Sequence, residues 1–218
     1  VAYQTAYLKA LYTNEFMAAL MTMESQDTDK IVKYIHECEI MGIKILPPDV
    51  NKSEASFSVS KDGIRFGFCA IKGVGEKAIE NIISNRRKIG KFESIFHLCE
   101  NCDTRLANKQ VLEALAKSGA MDSFGQSRRQ LVEVVPLALE IGGNVKKQKD
   151  SNQSMFEFDE DAETSSNKSV QLRYPNVEPW PDAQKMKFEK ETMGFYLTSH
   201  PLKQWGHYLG MLSTHKIA

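Results

Sequence analysis

Apolar positions recur at three- and four-residue intervals through most of the chain and change to alternation once. Tyr3, Tyr7 and Leu11, followed by Phe16, Leu20 and Met21, predict one or two helices at the start. A second stripe, Ile31, Ile35 and Cys38, follows Asp27-Thr28-Asp29, which suits an N-cap and first turn, and Gly42 supplies a stop. The two prolines of "ILPPDVN" forbid helix, so that stretch is extended or turning. Phe57, Val59, Ile64, Phe66 and Phe68 then alternate about Asp62-Gly63, which predicts a β-hairpin.

Helical spacing resumes with Ala78, Ile79, Ile82 and Ile83 on one face, then basic Arg86, Arg87 and Lys88, then Gly90. A short helix is expected over Ser94 to Glu100. Another, from about Leu106 to Lys117, turns Val111, Leu112 and Leu115 inward and ends at Gly119. A third, from about Gln126 to Ile141, is expected to break at Gly142-Gly143, with a kink or an earlier start at Pro136. Residues 143 to 178 are rich in Asn, Ser, Lys, Asp and Glu and predict a disordered linker with one apolar island, Met155-Phe156-Glu157-Phe158. A helix over Lys185 to Met193, stopped near Gly194, completes the pattern. The fold class expected is mainly α with a small β-hairpin.

Composition narrows the function more than the fold. Of 218 residues, 42% are hydrophobic and 26% charged, an ordinary globular balance. Zero net charge means that any contact with a polyanion must be local. Four cysteines, no signal peptide and no apolar run near ~18 residues fit a reduced, cytoplasmic protein with no membrane contact. The chain opens inside a helical pattern without Met and stops without a cap, and it reads as a piece of something longer.

Two groups resemble metal sites and are better explained otherwise. Cys99 and Cys102, near His97, lack the second ligand pair of a tetrahedral zinc site, so core cysteines are expected. Asp27 and Asp29 sit where a helix begins, and capping accounts for them without Mg²⁺. Asp159-Glu160-Asp161 reads as solvating charge, and no catalytic set or P-loop occurs, so no metal, cofactor or catalytic residue is assigned.

The chemistry lies in "IKGVGEKAI". Gly73 and Gly75 permit positive φ and leave backbone N–H groups uncovered at a helix start, where orphan donors and the helix dipole favour an anion. With Lys72, Val74 and Lys77 they form the hairpin of a helix-hairpin-helix unit suited to a DNA phosphate, the plain alternative being a tight turn. About 45 residues on, Ser118-Gly119-Ala120 leads to a helix with Arg128 and Arg129 in its first turn, a second such unit or a purely structural αα-hairpin. Farther along, Met155 and Phe156 place an exposed apolar pair in a polar tract, which suggests a linear motif for a partner, a chance pair or packing on the helices.

At this point the chain resembles a family. "AYLKALYTNEFMAALMT", "DKIVKYIHECEIMGIKILPPDVN", "IRFGFCAIKGVGEKAIENI", "NKQVLEALAKSGAMDSFG" and "ETMGFYLTSHPL" look like consecutive segments of the bacterial C-family replicative polymerases, the DNA polymerase III alpha subunits. The resemblance implies the end of a fingers region (1–60), a tandem helix-hairpin-helix domain (61–142), a linker (143–178) and the lead-in to an absent OB-fold domain (179–218). It implies duplex DNA, a sliding clamp (beta subunit) and other replicase subunits as partners. Mg²⁺ and the catalytic palm are implied outside this chain, which would be inactive alone. The family's clamp-binding peptide, Gln-x-Ser/Asp-Leu/Met-Phe, maps onto Asn152, Gln153, Ser154, Met155 and Phe156, with Asn152 departing from Gln. Three rivals stand beside this reading: a stand-alone helix-hairpin-helix adaptor of repair or recombination, an interaction scaffold whose hairpins are purely structural, and an error-prone accessory polymerase of the same family.

Overall fold

The computed structural model describes residues 1–153 and 174–196. Helices α1 (Ala2–Leu11) and α2 (Thr13–Met23) open the chain. α1 buries none of its residues, so the Tyr3, Tyr7, Leu11 stripe stays exposed, whereas α2 sinks Met17, Ala18 and Met21. In α3 (Thr28–Ile40) the Asp27 carboxylate accepts from the Lys30 N–H at 3.2 Å, and Ile31, Ile35 and Cys38 face the core.

The predicted hairpin forms from β2 (Ser58–Ser60) and β3 (Gly63–Arg65), joined by the two-residue loop Lys61-Asp62. A third strand, β1 (Ile45–Leu46), lies parallel to β3 with Ile45 opposite Ile64. Two residues are too short to show alternation, so only the fold reveals that strand. Phe57, Ile64, Phe66 and Phe68 are buried, but Val59 is 40% exposed on the edge strand β2. The Pro-Pro-Asp-Val-Asn tract becomes a bracket. The Val50 N–H donates to the Ala120 carbonyl at 2.7 Å, while Asn51 exchanges two hydrogen bonds with the backbone of Phe92.

Four helices follow a 3-10 turn at Phe68–Ala70: α4 (Glu76–Ile89), α5 (Ile95–Asn101), α6 (Lys109–Lys117) and α7 (Arg128–Gln153). α6 begins three residues later than its apolar pattern, because the Asn108 side chain caps the Val111 N–H. Gly90 ends α4 at φ +90°, as the sequence suggests.

α7 departs from the sequence reading. No break occurs at Gly142-Gly143, and the helix continues to Gln153. A glycine stop needs positive φ, and neither residue has it. Gly142 instead permits close packing: a Cβ there would lie 2.4 Å from the Cys99 carbonyl oxygen of α5. Pro136 lies inside the helix, which runs on past it. Asn152 and Gln153 close α7, and Ser154, Met155 and Phe156 fall outside the described residues.

The chain then returns over the bundle. Tyr174 packs on Phe96 of α5 with ring centroids 5.5 Å apart, and α8 (Asp182–Met193) ends at Gly194 with φ +88°. A Cβ on Gly194 would strike the Thr28 methyl at 1.8 Å, which shows how tightly the end of α8 docks on α3. One hydrophobic core runs from Met17 through Phe66, Ile82 and Leu112 to Ala138.

Candidate nucleic-acid interface

The first hairpin, residues 71–75, is anchored below and open above. Ile71 and Val74 are buried, and the Val74 N–H returns to the Ile71 carbonyl at 3.3 Å. Gly73 adopts φ +88°, a left-handed value that L side chains resist. Its missing side chain faces Ala114 of α6 at ordinary contact distance, 3.6 Å, so backbone conformation rather than space demands glycine.

Gly75 differs. It is the N-cap of α4, with φ −79° and ψ 155°, extended backbone open to any residue, and nothing lies within 4 Å of a Cβ built there. Having no side chain, it cannot cap the helix. Among the described residues, no acceptor meets the N–H groups of Gly75, Glu76 and Lys77. These are orphan donors at the positive end of the helix dipole. Lys72 and Lys77 are exposed and form no ion pair among the described residues; exposed Glu76 partly opposes them. The Lys72 N–H is already engaged, donating to the Thr192 carbonyl of α8 at 2.8 Å.

The second hairpin is closed by its own side chains. Ser127 and Gln130 form a capping box at the start of α7: the Ser127 hydroxyl oxygen accepts from the Gln130 backbone N–H, and the Gln130 side-chain oxygen Oε1 accepts from the Ser127 backbone N–H at 3.1 Å. Gly119 has φ +83°, and a Cβ on it would lie 2.4 Å from Nη2 of Arg128. That guanidinium is turned inward. Arg128 donates to both Asp122 oxygens and, through Nη1, to Glu189 Oε1 at 2.8 Å, with the Glu189 side chain fully buried. Burial works against its charge, but the two carboxylates outweigh that and raise its pKa. Arg129 reaches Glu133 at 3.0 Å and the Glu178 carbonyl.

The expected DNA-binding residues therefore form two groups. Lys72, Gly73, Gly75 and Lys77 present an open surface, with Val74 as its anchor. Gly119 and Arg128 pack against one another, and Arg129 is held by acceptors on the protein. Glu189 and Thr192, which connect to both groups, carried no signal in the sequence, because their partners are distant along the chain. The capping box has a local signature, Ser127-x-x-Gln130, that the sequence analysis did not use.

Two hairpins, each leading into a helix and packed on one core, define a helix-hairpin-helix module, and residues 42–131 match the family model of the helix-hairpin-helix motif. Homologues extend the likeness well beyond that span. The chain is 43% identical over 94% of its length to the DNA polymerase III subunit alpha of Escherichia coli K12. It is 39% identical over 94% of its length to that of Deinococcus radiodurans and 38% over 94% to that of Vibrio cholerae. The match spans only 15–18% of the length of those relatives. Among the described residues, no helix is long and apolar enough to cross a membrane.

Proposed function

We propose that this chain is the duplex-holding, clamp-tethered portion of a cytoplasmic replicative DNA polymerase alpha subunit. The whole protein would perform template-directed synthesis, with Mg²⁺ and the palm supplied by residues outside this chain. The observation that carries the reading is the uncapped start of α4, where three N–H donors and two exposed lysine ammonium groups have no partner among the described residues. Similarity to polymerase alpha subunits makes a duplex the anion to expect. Amides and lysines of this kind hold phosphates without reading sequence, so binding should be indifferent to base sequence and steep in salt.

Gly75→Asp tests the reading cleanly, because its backbone and surroundings accept a side chain whose carboxylate covers the helix-start amides. Duplex affinity at low salt should fall while thermal stability holds or rises; unchanged affinity would refute the phosphate site. The tether, carried by Met155 and Phe156, is tested by titrating purified clamp against a peptide of residues 148–160. Equal binding after both become Ala would refute it. The first reading is favoured over a stand-alone adaptor because the homology covers 94% of the chain, well beyond the span of the two hairpins.

A further inference from the structure

Helix α8 holds both hairpins through residues one turn apart. The Thr192 carbonyl takes the Lys72 N–H, fixing the backbone at the root of the first hairpin. Glu189 takes Nη1 of Arg128, which itself lies across Gly119 and grips Asp122 in the turn after it. Phe188 sits beneath the Lys117 ammonium, 5.4 Å from ring centroid to nitrogen, at the end of α6. Residues 189 and 192 are separated by roughly 4.5 Å along the helix axis. Two hairpins distant in sequence are thus referred to one rigid segment.

We propose, resting on the duplex-holding reading, that α8 is a brace that fixes the spacing of the two hairpins, with Glu189 and Arg128 as positioning residues that touch no DNA. A buried carboxylate–guanidinium pair is a poor choice for stability alone, since apolar groups fill such space with less desolvation cost. It does impose direction: Arg128 meets Asp122 and Glu189 only in one orientation. The sealed second hairpin thereby serves as the fixed point from which α8 sets the position of the open amides in the first.

The test is duplex binding by the 218-residue chain across a salt series, with thermal unfolding recorded in parallel. Glu189→Gln should lower affinity roughly tenfold or more, as the displaced first hairpin loses its hydrogen bonds to phosphate. It should also flatten the dependence of log K on log salt by about 1–2, as the first hairpin's phosphates are given up. A merely structural role would lower the unfolding temperature and leave that slope alone. In a Gly75→Asp background the same change should cost little more, because the grip of the first hairpin is already gone. Asp122→Asn, at a side chain 49% exposed, should act in the same direction and more weakly, and it decides the matter if Glu189→Gln does not fold. Wild-type affinity and slope in the folded variants would overturn the brace alone. No duplex binding by the wild-type chain would overturn the functional reading and the brace with it.

Discussion

Gly75→Asp should move stability and DNA binding in opposite directions, a signature that general damage to the fold does not produce. The backbone at this position, φ −79° and ψ 155°, suits an N-cap, and a side chain there meets nothing within 4 Å. Aspartate caps better than glycine by a few tenths of a kcal/mol. Its charge at the helix start adds about 0.3–1 kcal/mol, and the loss of glycine's freedom in the unfolded chain about 0.4–1 kcal/mol. A net gain of about 1 kcal/mol corresponds to a rise in Tm of roughly 2–4 °C for a chain of this size. The same carboxylate occupies the open N–H of Lys77 and repels a phosphate. Losing one charge-assisted hydrogen bond alone costs about 1.5–3 kcal/mol, or roughly tenfold to hundredfold in affinity. Differential scanning calorimetry and fluorescence anisotropy with a short duplex, both at ~50 mM salt to keep the contact strong, read the two effects. A variant with raised Tm and undiminished affinity would refute the assignment of the open α4 amides to phosphate.

Other consequences are simpler. Gly73→Ala should destabilise by about 1–2 kcal/mol, seen in urea unfolding, because φ +88° costs an L residue that much while Ala114 leaves room for the methyl. Gly142→Ala should lower stability by about 1–3 kcal/mol through its clash with the Cys99 carbonyl. Its neighbour Gly143→Ala, with open space around it, should raise stability by about 0.5–1 kcal/mol; equal effects at the two positions would refute the close crossing of α5 and α7. The Cys38 thiol is pushed up to about 11 from 9.0, by burial first and by Glu37 and Glu39 next. Its stabilising contribution is therefore complete below pH ~9 and lost as pH rises through ~11. Cys38→Ser should remove that part of the alkaline decline in Tm.

Local elements were written in local sequence. The cap at Asp27, the stripe Ile31, Ile35 and Cys38, the alternation from Phe57 to Phe68 and the glycine stops at Gly90 and Gly194 each depend on neighbours a few residues away, so periodicity and capping residues sufficed. The first hairpin was equally legible, because Gly-Val-Gly before a helix states its own backbone geometry. Where long-range packing set the outcome, local signals misled. Gly142 resembles a helix stop, yet α5 lies so close that only glycine fits inside a continuing helix. Val59 belongs to an apolar alternation, yet its strand is at the sheet edge. Arg128 resembles a free cation in a first turn, yet Glu189, 61 residues later, draws it inward.

By itself the sequence determined the helix-rich class, the glycine-bearing turn at residues 71–75 and a family resemblance that its homologues support. Only the tertiary structure decided which hairpin is open and which is sealed, since that depends on whether side chains distant in sequence reach the helix start. Gly75 carries no side chain and nothing approaches it, so the α4 amides stay available. At the second hairpin Ser127 and Gln130 cap one another, and Arg128 is drawn down between Asp122 and Glu189.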